Sequence, residues 1–229
     1  MCIFVYISQS RYSMTKIVRN KLIIMPNKAL SKADIKAKIN EVADYCKGEE
    51  RGFKKEMSFS KISPKPNSLV KDSKEEDDWY LYHWGTREIA YNACWVSDNA
   101  MIFDTLYNPA CPIACKIMRR FPDVNFSFLY AADKTGRTTG ELKQLDGKVY
   151  AIVPRDYSKK AYEIAFDLRP HKRALYTLNM ETGTYDYDMS DILHEVGMNG
   201  YYQESDGTML IGLDDKGNLM YDPSDDLPF

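Results

Sequence analysis

The chain reads as an α+β protein in which helices pack on one face of an antiparallel sheet. Three observations predict this. Its elements follow the order strand, helix, strands, helix, strands, which places helices against a sheet built of hairpins. Two segments carry hairpin turn chemistry, Asp133-Lys134-Thr135-Gly136 and Asp146-Gly147. Two helical segments are delimited by stop and start residues, one after Ser31 and one between Pro109 and Pro122. A hydrophobic content of 44% with 13% aromatic residues supplies enough apolar surface for a core and excludes a wholly disordered chain.

Each element follows from its local pattern. Ile17 to Met25 is rich in Ile, Val and Leu, alternates loosely and ends at Pro26, as a strand does. Ser31 with Asp34 three residues on resembles a capping box, and Ile35, Ile39, Val42 and Cys46 recur at helical spacing until Gly48. Residues 59 to 78 contain Pro64, Pro66 and the acidic run Glu75 to Asp78, and read as a long surface loop. Trp79 to Trp84, Tyr91 to Val96 and Met101 to Tyr107 read as strands. Pro109 and Pro112 open a second helix with Ile113, Ile117 and Phe121 on one face. Val124, Phe126, Phe128 and Tyr130 alternate with Asn125, Ser127 and Leu129, a half-buried strand. Thr138 to Leu145 and Val149 to Val153 complete the sheet.

Beyond Pro154 the pattern predicts a mainly β extension. Ala174 to Leu178 and Thr184 to Tyr187 form a hairpin through Thr182-Gly183, and Asp191 to Val196 a short helix. Thr208 to Leu213 and Asn218 to Tyr221 form a second hairpin. The organisation expected is therefore an appendage at 1–13, preceding a more natural start at Met14, a body at 14–153, an acidic β-rich extension at 154–221 and a flexible tail at 222–229. No segment approaches a membrane-spanning length, and Cys2 to Ile7 lacks the flanks of a signal peptide, so a soluble protein of the cytoplasm is expected.

Charge is distributed unevenly. The net of −2 conceals a stretch from Tyr176 to Phe229 with 12 acidic residues and one basic residue, Lys216. Residues 1 to 175 carry 30 basic and 21 acidic residues, a net of +9. Such asymmetry points to a polyanion-facing body or an acidic tail. Five cysteines at irregular spacing, Cys2, Cys46, Cys94, Cys111 and Cys115, argue against a disulfide framework and fit buried, inert thiols. Cys111 and Cys115 lack the further ligands that a zinc site needs.

Catalytic patterns are sparse. There is no glycine-rich phosphate loop. His83 with Asp104 would form a general base and its orienting carboxylate, or a metal site, if the fold joined them; a structural histidine beside Trp84 is the simpler reading. Asp186, Asp188 and Asp191 do not match a calcium-loop spacing. The expectation is a protein without catalytic residues, metal or cofactor.

Basic and aromatic residues suit single-stranded nucleic acid better, since cations track phosphates and rings stack on bases. The candidates are Arg119 and Arg120, Lys134 and Arg137 at a turn, Tyr157 with Lys159 and Lys160, and Arg169, Lys172 and Arg173. The C-terminal Asp225-Asp226-Leu227-Pro228-Phe229 resembles the acidic tip of bacterial single-stranded DNA-binding proteins. That resemblance implies a docking peptide whose Phe229 side chain enters an apolar pocket on a host protein while its carboxylate and the aspartates meet basic residues.

A longer resemblance lies in the body. It rests on Asn20-Lys21-Leu22, Phe59-Ser60-Lys61-Ile62-Ser63-Pro64-Lys65-Pro66, His83-Trp84-Gly85-Thr86, Phe103 to Pro109, Phe121-Pro122-Asp123-Val124 and the Tyr130 to Gly140 segment. Over residues 14–145 the chain resembles the YubB-type ferredoxin-like family of phage and plasmid proteins. It departs from that family at Tyr107 and at Arg87-Glu88-Ile89, where the family carries tryptophans. The resemblance implies a ferredoxin-like sheet with two helices on one face and a setting in DNA that moves between cells. Together these readings predict an accessory protein of DNA metabolism that binds single-stranded DNA or its complexes and engages host replication and repair proteins. The alternative is a counter-defence inhibitor of the anti-restriction or anti-CRISPR type, whose acidic segment imitates nucleic acid.

Overall fold

Nine residues from Ile17 to Met25 form the central strand β1, and their side chains alternate between a buried row, Val18, Asn20, Leu22 and Ile24, and a more exposed one. The computed structural model describes residues 17–25, 31–50, 52–188, 201–203 and 209–211. The chain divides into two compact units, residues 1–174 with 179–185, and residues 175–178 with 186–229.

In the first unit, β1 is followed by helix α1 (Lys32–Cys46) and the short strands β2 (Gly48–Glu50) and β3 (Phe53–Lys55). Helices α2 (Phe59–Ile62) and α3 (Lys74–His83) come next, then strands β4 (Tyr91–Ser97) and β5 (Ala100–Leu106). Helix α4 (Cys111–Arg120), strands β6 (Asn125–Ala132), β7 (Thr139–Leu145) and β8 (Lys148–Ile152), and helix α5 (Lys159–Leu168) follow. A 3₁₀ turn (Pro170–Leu175) follows α5; β9 (Tyr176–Leu178), which belongs to the second unit, pairs with β10 (Tyr185–Tyr187).

Six strands form one sheet in the order β4-β5-β1-β6-β7-β8, with every neighbouring pair antiparallel. The α1 cap is the one expected: Ser31 Oγ accepts from the Asp34 amide at 3.2 Å, and the Asp34 carboxylate accepts from the Ser31 amide at 3.3 Å. The Asp146-Gly147 turn between β7 and β8 also takes its expected form, with positive φ at both residues.

The core lies on one sheet face. Val18, Leu22 and Ile24 of β1, Met101 and Phe103 of β5, and Phe126, Phe128 and Tyr130 of β6 pack with Val42 and Cys46 of α1 and Ile113, Ile117 and Met118 of α4. Asn20 sits at zero exposure inside this layer and ties it together. Its Nδ2 donates to the Val18 carbonyl at 3.1 Å and to Thr105 Oγ1 at 3.0 Å, and its Oδ1 accepts from the Ala110 amide at 3.2 Å. The start of α4 is thereby anchored to the sheet by a side chain rather than by a helix cap. Gly85 makes a close approach nearby: its φ is +87°, and an added Cβ would lie 2.4 Å from the Pro109 carbonyl oxygen.

Several expectations are corrected. Trp79 to Trp84 is not a strand; α3 runs through it and ends at His83. Ser73 caps that helix, accepting from the Glu76 amide at 3.1 Å, and Glu75, Glu76 and Asp77 occupy its first turn, where the helix dipole favours acids. The aromatic residues that mimic a strand meet at helical i,i+4 spacing instead, Trp79 with His83 at 4.5 Å and Tyr80 with Trp84 at 4.6 Å. The expected loop at 59–78 holds α2 and the first turns of α3, and Phe59 and Ile62 are buried.

Helices also do not keep to one face. Leu129 and Ala131 alternate with the core-facing Phe128 and Tyr130 along β6, and they pack against Ile164, Ala165 and Leu168 of α5. Helix α5 lies beyond residue 153, where a mainly β extension was expected, yet it packs against β6 within the first unit. Strand β6 is apolar on both faces, Phe126-Ser127-Phe128-Leu129-Tyr130-Ala131-Ala132, as a strand covered on both sides must be. Lys21 of β1 reaches Asp167 of α5 at 3.1 Å.

In the second unit, Tyr176 and Tyr187 pack edge-on at 5.1 Å. Strand β11 (Tyr201–Gln203) pairs with β12 (Met209–Ile211). Among the described residues the expected strand at 208–213 pairs with 201–203; its expected partner at 218–221, the expected helix at 191–196, the appendage at 1–13 and the tail at 222–229 lie outside the described residues.

Burial fixes the protonation of the core thiols. Desolvation pushes Cys46 up from 9.0 to about 12, and raises Cys111, Cys115 and the Tyr130 phenol in the same sense. A raised folded value means that the neutral form is held by the fold: this stability is complete below pH 9 and is lost as pH rises from about 9 toward 12. The urea midpoint of reduced protein should fall between pH 8 and pH 10.5, because the unfolding free energy drops by about 1.4 kcal/mol per pH unit above about pH 9 for each group titrating only in the unfolded chain. A midpoint independent of pH over that range would contradict thiol burial.

Candidate nucleic-acid interface

The turn between β6 and β7 and the start of α5 form one structure. Tyr157 N–H donates to the Gly136 carbonyl at 2.7 Å, and the Asp156 carboxylate accepts from the Thr138 amide at 3.2 Å and from Arg137 Nε at 3.4 Å. Gly136 has a φ of +81°, and Tyr162 and Tyr157 lie so close to it that a Cβ would meet the Tyr162 ring at 3.0 Å. Ser158 caps α5, accepting from the Ala161 amide at 3.3 Å. The Thr184 hydroxyl donates to the Tyr157 carbonyl at 2.6 Å and closes the loop from another side.

This arrangement exposes the expected cations selectively. Lys134, Lys159 and Lys160 are exposed, and among the described residues their ammonium groups carry no ion pair or hydrogen bond. Arg155, absent from the sequence-based set, joins them as a fourth exposed and unpaired cation. Its position two residues before Tyr157-Ser158-Lys159-Lys160 was the available signal. Tyr157 is 42% exposed as a residue, with the Arg137 guanidinium 5.9 Å from its ring centroid. Four exposed charges are available to phosphates while a base stacks on this ring.

Other candidates are placed elsewhere. Arg169 is 5% exposed and donates to the Ala131 and Ala132 carbonyls at 3.0 and 3.1 Å and to Asp133 at 3.1 Å. It closes the end of β6, and burial lowers its pKa. Lys172 donates to the Asp133 carbonyl at 2.5 Å. The Arg173 guanidinium lies 4.8 Å from the Tyr185 ring and 5.3 Å from Phe166, a cation–π pair at the flank of α5. Arg119 and Arg120 end α4 beside the start of β6, so the length of that strand, roughly 25 Å for eight residues, separates them from the Lys134 turn. The docking residues Asp225, Asp226, Leu227, Pro228 and Phe229 lie outside the described residues.

The catalytic alternative is not assembled. Asp104 is taken by Arg19, at 2.9 and 3.1 Å, and by Asn92 at 3.2 Å. His83 stacks on Trp79 and accepts from Lys116 instead. Among the described residues no cluster of three or more His, Cys, Asp or Glu is placed to hold a metal, and no helix is long and apolar enough to cross a membrane.

The fold and this surface define a mixed α/β protein with a six-stranded antiparallel sheet and a basic, aromatic loop cluster at one end. Comparison with known protein families, with curated proteins and with solved structures finds no match.

Proposed function

We propose that the protein is a non-enzymatic accessory factor of DNA metabolism, carried by phage or other mobile DNA, whose basic body binds single-stranded DNA. The observation that carries this reading is the exposed Tyr157, hydrogen-bonded to the turn that holds Lys134 and flanked in the chain by Arg155, Lys159 and Lys160, four exposed cations without partners among the described residues. A ferredoxin-like classification of the body, and kinship with the YubB-type family, is supported by the strand order β4-β5-β1-β6 with α1 following β1 and α4 joining β5 to β6. The two added strands β7 and β8 extend that unit at the edge that carries the loop cluster. The test is fluorescence anisotropy of a labelled oligonucleotide at low salt: binding by the intact chain is expected, and no binding sinks this half of the proposal.

The acidic Asp225 to Phe229 segment recruits host proteins that read the tip of single-stranded DNA-binding protein. Deleting Leu227 to Phe229 should remove host replication and repair proteins from a pull-down while oligonucleotide binding persists. The same partners captured by the deleted form would refute docking through this segment. The 12 acidic residues between Tyr176 and Phe229 favour a second reading, inhibition of a host nuclease by imitation of phosphates. Competition separates the two, because a mimic displaces DNA from its target and has no DNA affinity of its own.

A further inference from the structure

On the sheet face covered by α1 and α4, Lys116 of α4 reaches across to the end of α2 and to α3. Its Nζ donates to Ser63 Oγ and lies 3.4 Å from His83 Nδ1, so both contacts of the ammonium are to neutral groups. Among the described residues no carboxylate partners it. Two acids of α3 have partners of their own: Glu76 is held by Lys65 and the Asp72 amide, and Asp77 by Arg87. Lys116 is half-buried, and desolvation lowers its pKa with no acid to offset it; His83 is lowered too, by its own burial and then by Lys116.

A partly desolvated ammonium held only by neutral acceptors keeps its solvation cost uncompensated, and an anion is the partner that removes it. Donors remain for one. The Ser63 hydroxyl accepts from Lys116 and its own proton is unspent among the described residues, and the ammonium has a third N–H. Ser63 is buried at 3% exposure, with its carbonyl fixed by Trp84 Nε1 at 2.9 Å, while Lys116 and His83 are half-exposed and open the pair to solvent. His83 is itself held by stacking on Trp79, so its Nδ1 orients the ammonium toward Ser63.

We propose that Lys116 Nζ and Ser63 Oγ, bordered by His83, form a binding site for a small phosphate-type oxyanion. A tetrahedral oxyanion presents several acceptors and bridges an ammonium and a hydroxyl that already touch, with lysine as the point charge. The site lies among α2, α3 and α4, whereas the loop cluster proposed to bind DNA lies by α5 on the other sheet face, so the two stand or fall separately.

The experiment follows the His83 imidazole resonances of the full chain by NMR during titration with inorganic phosphate, with His83→Gln providing the assignment. Saturable movement is expected in the wild type. Lys116→Met keeps the aliphatic stem and should weaken the response at least tenfold while its thermal transition remains cooperative. If the His83 signal does not move up to tens of millimolar phosphate (on the order of the weakest specific affinities), the proposal is overturned, as it is if Lys116→Met responds like the wild type. Should Lys116→Met fail to fold, Ser63→Ala serves as the second variant, with the same expected weakening. A further arm uses a mononucleotide and a single-stranded oligonucleotide: movement with the mononucleotide as with phosphate supports the site, and movement with the oligonucleotide alone overturns it.

Discussion

Replacing Asn20 by leucine is expected to destabilise the first unit by about 3–4 kcal/mol, although the two side chains are similar in size. The reason is the number of groups left without partners. Asn20 is wholly buried between β1, β5 and α4, and removing its amide strands the Ala110 N–H, which has no helix cap to replace it. The Thr105 hydroxyl loses its donor as well, although it retains contacts to the Asn108 carbonyl at 2.7 Å and the Val18 carbonyl at 3.4 Å. In a unit of this size that loss lowers the melting temperature by roughly 6–16 °C. Urea denaturation followed by the fluorescence of the buried Trp84 measures it directly. Thr105→Val in the Asn20→Leu background should cost less than in the wild type, because the two side chains share one hydrogen bond. A loss below about 0.5 kcal/mol for Asn20→Leu, the level of an ordinary surface change, would mean that the network contributes nothing.

The second large effect concerns DNA. If Lys134, Arg155, Lys159 and Lys160 each neutralise one phosphate, log affinity for a single strand should fall with log salt at a slope of about −2.8. Between 50 and 200 mM salt that slope amounts to a loss of about fifty-fold. Changing all four residues to glutamine should flatten the slope toward zero, and each single change should reduce it by about 0.7. Tyr157→Ala should weaken binding by about 1–3 kcal/mol with the slope unchanged, since stacking releases no counterions. Tyr157→Phe keeps the ring and should bind as the wild type does. A slope that survives the fourfold change would place the phosphates elsewhere, with Arg119 and Arg120 at the far end of β6 as the next residues to neutralise. Arg169→Gln is a poor choice for such a series: its guanidinium closes the end of β6, and its loss would disturb the fold rather than a DNA contact.

How much of this was legible follows the range of the interactions. The capping box at Ser31, the Asp146-Gly147 turn and the alternation of Phe126, Phe128 and Tyr130 are local signals, and each element stands where its signal placed it. Helix α3 is obscured because its aromatic run carries strand propensity, and only packing of Trp79 on His83 and of Tyr80 on Trp84 at i,i+4 spacing decides for a helix. Helix α5 had a readable stripe in Ala161, Ile164, Ala165 and Leu168, and the uninterrupted apolar composition of β6 implied a second covering layer. The basic loop cluster is legible by residue type in Lys134, Tyr157, Lys159 and Lys160, and Arg155, two residues before Tyr157, carries the same local signal; their exposure is what only the structure gives.

The sequence by itself determined the class of fold, most strands of the sheet and the separation of a basic body from an acidic end, whereas of the thiols it expected to be buried Cys46 is enclosed and Cys94 is exposed. Fold class, strands and charge separation depend on periodicity, turn residues and composition, which act over a few neighbours or over the whole chain. Only the tertiary structure decided which charges remain available. Arg169 and Lys172 are consumed by the end of β6 and by Asp133, Asp104 is claimed by Arg19 rather than His83, and Lys116 is left among neutral partners. Whether a side chain meets a carbonyl, a carboxylate or water depends on residues distant in sequence, and no local pattern encodes that choice.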